Sequence, residues 1–89
     1  MERREHVELW AWRLAEGVEY RAEAHAPGTR EIVHVTAGRL RLTVDAVIHD
    51  LDPGDSVLFS ADRPHAYAGA AADETRFQMV VVMPPAAVD

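Results

Sequence analysis

Residues 25–38 read HAPGTREIVHVTAG, a short stretch that combines a tight turn, a strand and several candidate ligand side chains. Pro27 and Gly28 occupy the second and third positions of a four-residue turn. Proline fixes the φ that the second position needs and glycine tolerates the positive φ of the third, so a type II turn is predicted. This turn is expected to make His25 and Glu31 neighbours on two antiparallel strands, with Cβ atoms roughly 5 Å apart if directly opposed. Two side chains able to bind a metal or exchange a proton would then share one opening.

The residues after the turn alternate with the period of a β-strand, so that Glu31 points the same way as Val33 and Val35. A carboxylate on an apolar face is costly unless a cation, a metal or a hydrogen-bond donor meets it. Glu31 is therefore either a ligand or a half-solvated residue at the start of the strand, paired with an arginine. His34, on the opposite face, is expected at the surface or at a dimer interface.

The composition fits one small soluble domain. The 89 residues are 48% hydrophobic and 27% charged, enough for one core and not for two. Without cysteine there is no disulfide, thiol nucleophile or thiolate zinc site, so any metal must be held by histidine and carboxylate. The net charge of −6 argues against a direct grip on nucleic acid. No apolar run is long enough to span a membrane, and a cytoplasmic location is expected.

The amino-acid usage indicates the kind of genome that encodes the chain. All nine basic residues are arginine and alanine is abundant, which GC-rich codons favour, so a GC-rich bacterial genome is expected.

Alternation and turn residues predict eight or so short strands. The predicted strands span residues 7–14, 18–25, 31–37, 39–44, 47–51, 56–59, 65–69 and 74–83. Such spacing is typical of an all-β sandwich or barrel. Pro53-Gly54 repeats the type II turn, and both Pro-Gly turns are interpreted as hairpins. A helix over residues 7–24 is the competing interpretation, because alanine, leucine and glutamate favour helix.

Two features of the first predicted strands have more than one interpretation. Trp10 and Trp12 share a face and are interpreted as core or dimer-interface residues, with ligand stacking as the other possibility. His25 is in register with the charged residues of its strand, so either a bulge re-aims it or that face lines a polar pocket.

The spacing of His25, Glu31 and Gly38 resembles the first motif of the cupin superfamily, which has a histidine pair, a glutamate and a glycine seven positions later. One histidine of the pair is missing, because Pro27 stands two residues after His25. The resemblance leaves three candidate ligands where the fuller motif has four.

The second cupin motif begins with a glycine and reaches a histidine eleven positions later, as Gly54 and His65 do. Its usual proline, second glycine and final asparagine are replaced here by Ser60, Asp62 and Gly69. The two motifs together imply a small, single-domain, all-β cupin barrel (jelly roll, or double-stranded β-helix) over residues 1–89, with a core of roughly 7–83.

The resemblance also implies a site. One divalent metal, Zn, Fe, Mn or Ni, would be held by His25, Glu31 and His65. His65 has the alternative of simply hydrogen-bonding a backbone carbonyl. The side chains expected to line a ligand pocket are Tyr67, Phe59, Phe77 and Met79, although packing explains them equally well.

More narrowly, the motifs His-x-Pro-Gly-Thr-x-Glu and Ala-Asp-x-Pro-His-x-Tyr resemble those of the C-terminal cupin domain of bacterial XRE-type helix-turn-helix regulators. That resemblance implies a small-molecule-sensing domain which reaches DNA only through a separate helix-turn-helix domain, absent from these residues. The chain is then a sensor fragment if Met1 is an internal start, or a free-standing small cupin if Met1 is native. The alternatives are a metal-dependent enzyme of isomerase or dioxygenase type and a ligandless dimerisation domain. A homodimer is expected, because Trp10 and Trp12 need cover.

Overall fold

The structure, a computed structural model, describes residues 5–85 as eight strands joined by short turns. The strands are β1 (His6–Leu14), β2 (Glu19–Ala22), β3 (Arg30–Ala37), β4 (Leu40–Val44), β5 (Val47–Leu51), β6 (Ser56–Ser60), β7 (His65–Gly69) and β8 (Thr75–Met83). The all-β prediction is confirmed and the helical interpretation of residues 7–24 is wrong, because this segment forms β1 and β2. Nothing in the described part of the chain forms a helix long and apolar enough to cross a membrane.

The strands form two antiparallel sheets, sheet A with the order β1-β8-β3-β6 and sheet B with the order β2-β7-β4-β5. Successive strands alternate between the sheets except for the β4–β5 hairpin. That hairpin turns at Asp45 and Ala46, which have φ angles of 52° and 66°, as a type I′ turn requires. This repeated crossing makes the two sheets the halves of one jelly roll.

Both Pro-Gly turns are type II, as predicted, but neither closes a hairpin. In the first, the amide of Thr29 donates to the carbonyl of Ala26 at 3.1 Å and Gly28 has a φ of 86°. The second repeats this geometry with Gly54 at a φ of 93°. Each turn carries the chain from sheet B to sheet A, joining β2 to β3 and β5 to β6. A type II turn suits this role, because its twist splays the flanking strands instead of pairing them.

The core lies between the two sheets and is built from the inward face of each strand. Its buried members are Leu14, Val33, Val35, Leu40, Leu42, Tyr67, Phe77, Met79 and Val81. Gly38 lets β3 turn toward β4 at a φ of 78°, and a Cβ there would stand 2.7 Å from the Cα of Thr75. This close approach requires glycine.

Candidate metal and ligand site

Glu31 is buried at the end of the same inward face that carries Val33 and Val35. Facing it from sheet B are two inward residues of β7, His65 and Tyr67, both also buried. Because β3 runs in sheet A and β7 in sheet B, the carboxylate meets its partners across the interior of the jelly roll. Glu31 is thus not a half-solvated strand terminus paired with an arginine.

His25 reaches the same point from a loop. The expected pairing of its strand with that of Glu31 is wrong, since β2 and β3 belong to different sheets. β2 ends at Ala22, so the alternation that grouped His25 with charged residues ends there and no bulge is needed. The amide of His25 donates to the carbonyl of Ala61 at 3.0 Å, and the Ala61 amide donates to the carbonyl of Thr29 at 2.8 Å. This pair of bonds fastens the loop that carries His25 to the loop before His65.

Three potential ligand atoms therefore converge. The Nε2 atoms of His25 and His65 lie 3.3 and 3.2 Å from the Oε2 atom of Glu31. All three lie within 4.8 Å of one another. The Glu31 and His65 side chains are almost fully buried, whereas 43% of the His25 side chain is exposed. Glu31 and His65 therefore form a buried pair, and His25 is the potential ligand on the solvent side.

The ring of His65 is oriented by the backbone. Its Nδ1 atom lies 2.8 Å from the carbonyl oxygen of Arg63, which can only accept, so Nδ1 carries a hydrogen. Nε2 then faces the Glu31 carboxylate, and those two atoms have no hydrogen-bond partner among residues 5–85. Two lone pairs at this distance repel unless a proton or a cation lies between them.

The pKa of His65 follows from this geometry. Burial lowers it, but the neighbouring Glu31 carboxylate and the Arg63 carbonyl outweigh burial, so the pKa is raised above its usual value. In the absence of a metal, the structure therefore favours a proton on Nε2. The same position suits a metal ion, which replaces that proton.

Tyr67 hydrogen-bonds the other oxygen of the Glu31 carboxylate. Its hydroxyl donates to Oε1 of Glu31, and it also lies 3.2 Å from the sulfur of Met79. Burial and the adjacent Glu31 raise the pKa of Tyr67, so this hydroxyl stays protonated and acts as a donor. One carboxylate oxygen is thus held by Tyr67 and the other is left for the two imidazoles.

A cavity of about 350 Å³ opens beside these groups, between the edge strands β1 and β2. Its polar end consists of the three converging side chains and Tyr67. The remaining wall is mostly apolar and is formed by Glu8, Trp10, Trp12, Tyr20, Ala22, Met79, Val81 and Met83. Its volume is within the range of small-molecule sites.

The structure brings Tyr67 and Met79 to this cavity but not Phe59 and Phe77. Phe77 is buried in the core, where its ring stacks on Trp12 with centroids 5.7 Å apart. Phe59 lines a separate opening between β5 and β6, and its ring packs against the His65 ring with centroids 5.5 Å apart. Both phenylalanines support the site from behind.

Several wall residues were not predicted from the sequence, among them Glu8 and Tyr20. The signal was present in β1, where Glu8, Trp10 and Trp12 alternate on one face. Only the pairing of β1 with β8 shows that this face looks into the cavity. At the rim, the Trp10 indole donates to Glu8 at 3.1 Å, and this bond lowers the pKa of the Glu8 carboxyl.

The residues present fit a divalent metal. Two imidazole nitrogens and one carboxylate oxygen are ligands that Zn²⁺ and other first-row divalent metals accept, and a three-residue set leaves positions open for a ligand. The unpartnered buried atoms of Glu31 and His65 are those that a metal would satisfy. Position 27, where the cupin motif has a further histidine, is proline, so no fourth protein ligand comes from that motif.

Comparison with known proteins places the chain in context. The Cupin_2 family, described as "Cupin domain", matches residues 10–83. A search of curated proteins finds no match. The Cupin_2 domain of an XRE family transcriptional regulator from Enterobacter cloacae is similar, with 28% identity, a TM-score of 0.81, and coverage of 84% of this chain and 79% of that one.

Two longer proteins are also similar. An HTH_3 family transcriptional regulator from Vibrio cholerae shares 29% identity with a TM-score of 0.81, over 88% of this chain and 43% of that one. A cupin-superfamily sugar phosphate isomerase from Silicibacter pomeroyi shares 27% identity with a TM-score of 0.70, over 89% of this chain and 52% of that one. The matched region thus spans about half or less of these two proteins.

Proposed function

This chain belongs to the cupin domain family, and from that premise we propose that it is the small-molecule-sensing domain of a bacterial transcriptional regulator in the cytoplasm. The observation that carries the proposal is the buried Glu31 carboxylate, which faces two imidazoles at the polar end of a largely apolar cavity. The similarity to cupin domains of XRE and HTH_3 regulators supports a regulatory role. DNA would be bound by a separate helix-turn-helix domain, because the net charge of −6 does not suit this domain to that task.

The cavity favours one class of ligand, a small and largely apolar molecule with an oxygen-bearing head. Apolar walls of Trp12, Tyr20 and Met79 would take the body, and the end near Glu31 would take the head. The open positions of a metal held by His25, Glu31 and His65 would take an oxygen of that head. A carboxylate is the simplest head that fits this requirement.

A metal, when bound, supplies a Lewis-acidic centre that fixes the head of the ligand. His65 and Glu31 would hold it with rings and oxygens already oriented, while His25 would join from its exposed loop. A ligand changes the conformation only by binding one state better than another. The loop that carries His25 is the element that can change conformation when a ligand binds, because the His25 ring is partly exposed whereas the side chains of His65 and Glu31 are buried.

Zinc titration of the chelator-treated chain tests the site. We expect one zinc per chain by isothermal titration calorimetry, with an affinity that Glu31→Gln lowers at least about 100-fold because a charged ligand is lost. His34→Ala is the matched control, since His34 lies on the outer face and bonds Ser56. Equal zinc affinity in wild type and Glu31→Gln would contradict the proposed site.

Tryptophan fluorescence tests the cavity, because both tryptophans of the chain line it. We expect members of a panel of small aromatic and aliphatic carboxylates to shift the emission of the zinc-loaded chain. Ala22→Leu narrows the cavity and should weaken that response while leaving the zinc affinity unchanged. No response from any carboxylate, with zinc bound, would contradict the ligand class.

A free-standing metal-dependent isomerase is the second candidate, favoured by similarity to the sugar phosphate isomerase. Turnover of a sugar phosphate by the zinc-, iron- or manganese-loaded chain, lost in Glu31→Gln, would establish it. A reading frame that continues upstream into about sixty residues of basic, helical sequence would instead support the regulator. We also propose that the domain works as a homodimer.

A further inference from the structure

The outer faces of the two sheets differ in chemistry. In sheet A, register pairing places Leu9 opposite Val80, Val80 opposite Ile32, and Ile32 opposite Leu58. Directly paired residues share a face, so these four side chains form one row across all four strands, here called the apolar row. Leu9 is 73% exposed and Leu58 62% exposed. An apolar row of this kind on a solvated sheet face is unusual for a monomer.

The corresponding row of sheet B is polar. It runs through Glu19, Ala68, Arg41 and Asp50. Arg41 donates to Asp50 at 3.0 Å, an exposed ion pair suited to water. The exposed apolar row therefore belongs to one face of the jelly roll and not to its surface in general.

We propose that the outer face of sheet A is the interface of a symmetric dimer, in which the apolar row of one copy packs on that of a second copy. This inference rests only on the dimer included in the proposed function, not on the site. Four strands about 4.8 Å apart, averaging about eight residues at about 3.3 Å each, give each copy a face of roughly 500 Å². Two such faces bury roughly 1,000 Å², the lower limit for a specific interface.

Charge at the two ends of β1 fixes the orientation. Arg13 lies four residues after Leu9 and is on the outer face. Glu5 lies just before β1, and its Oε1 atom is 3.8 Å from Nη2 of Arg30, an exposed residue of the same face. A two-fold axis along the apolar row stacks β1 on β1 in opposite directions. Arg13 of each copy then faces Glu5 of the other.

The competing axis, parallel to the strands, is disfavoured by the same charges. Arg13 is the cross-strand partner of Arg76, a pair of like charges. An axis parallel to the strands would gather both arginines of both copies at one end of the interface. Arg13 makes no ion pair within residues 5–85, whereas Arg76 already holds Glu74 at 2.7 Å. The row axis supplies Arg13 with an acidic partner.

Sedimentation velocity of the full chain tests the surface. We expect a dimer at micromolar concentration, and we expect Leu9→Asp to raise the dimer Kd at least about tenfold by placing a charge in the apolar row. Ile48→Asp is the matched control, since Ile48 is 58% exposed on the outer face of sheet B, and its dimer Kd should not change. A wild-type monomer at about 100 μM, or an equal change in both variants, would overturn the proposal.

A charge exchange tests the orientation. Glu5→Arg alone and Arg13→Glu alone should each weaken their own homodimers about two- to tenfold. Mixed together, the two variants should form heterodimers in preference to either homodimer. In the heterodimer each arginine at position 5 or 13 faces a glutamate at the other position of the partner. A mixture that shows no preference for the heterodimer would overturn the proposed axis.

Zinc titration of Leu9→Asp separates this inference from the proposed function. A monomeric Leu9→Asp variant that still binds one zinc per chain supports the interface and shows that the fold is intact. Loss of zinc binding in this variant together with loss of the dimer would overturn the interface as a separate surface. Failure of the site proposal would instead appear as absent zinc binding in a wild-type dimer.

Discussion

The two ends of β3 show the same inward face in two chemical environments. Val33 and Val35 are fully buried among aliphatic and aromatic side chains of the core. Glu31 is equally buried, two residues earlier, yet it faces His65 and Tyr67. Alternation along one strand therefore decides only that a side chain points inward. Whether it enters a dry core or a polar site depends on what the opposite sheet presents.

The difference shows how this small domain divides its interior. The core end is satisfied by contact alone, because apolar side chains need no specific partners. The end near Glu31 leaves polar atoms of Glu31 and His65 without partners, which is costly unless a ligand or proton is bound. Stability and binding are therefore expected to respond to different substitutions.

The largest effect is expected from Leu40→Ala, which damages the core end alone. Leu40 is fully buried, and its truncation should lower the free energy of unfolding by about 2–5 kcal/mol. Val47→Ala, at an exposed position, should change it by less than about 0.5 kcal/mol. Urea unfolding measures both values. A change of zinc affinity in the folded Leu40→Ala variant would contradict the separation of the two ends.

A smaller effect is expected from Tyr67→Phe, which lies at the boundary between the two ends. The variant keeps the buried ring but removes the hydroxyl that donates to Oε1 of Glu31. Zinc affinity should fall about tenfold, because an oriented carboxylate is a better ligand than a free one. Calorimetry compares this variant with Tyr20→Phe, whose hydroxyl has no bond to Glu31. Equal affinities in wild type and Tyr67→Phe would show that Tyr67 does not position the carboxylate.

The smallest effect is a pH dependence confined to the end near Glu31 in the metal-free chain. The folded pKa of His65 is raised, so its stabilising contribution is complete below the unfolded value of about 6.5 and is lost as pH rises through the folded pKa. We expect the stability difference between wild type and His65→Gln to shrink over that interval. Urea unfolding with a chelator present measures it, with His49→Gln as the control. A difference that stays constant with pH would mean that His65 does not titrate against Glu31.

The strands themselves were largely predictable, because alternation and turn residues are local signals. Residues 31–37 and 47–51 were identified almost to the residue. The type II geometry at Gly28 and Gly54 was also predictable, since only local dihedral angles decide it. The partners of each strand were not, because the Pro-Gly turns predict hairpins by local signals alone, whereas the structure uses both turns to cross between sheets. Strand pairing is a long-range choice that local sequence does not encode.

Period-two alternation and motif spacing are properties of the chain order, so the amino-acid sequence alone predicts an all-β chain with an inward-pointing glutamate and histidines at cupin-like spacing. The meeting of His25, Glu31 and His65 depends on how the two sheets pack, since these residues come from a loop and two different sheets. The same packing places Trp12 in the cavity wall and Phe77 behind it. The physical reason is that a side chain's neighbours across the interior are set by the crossing of the chain between sheets.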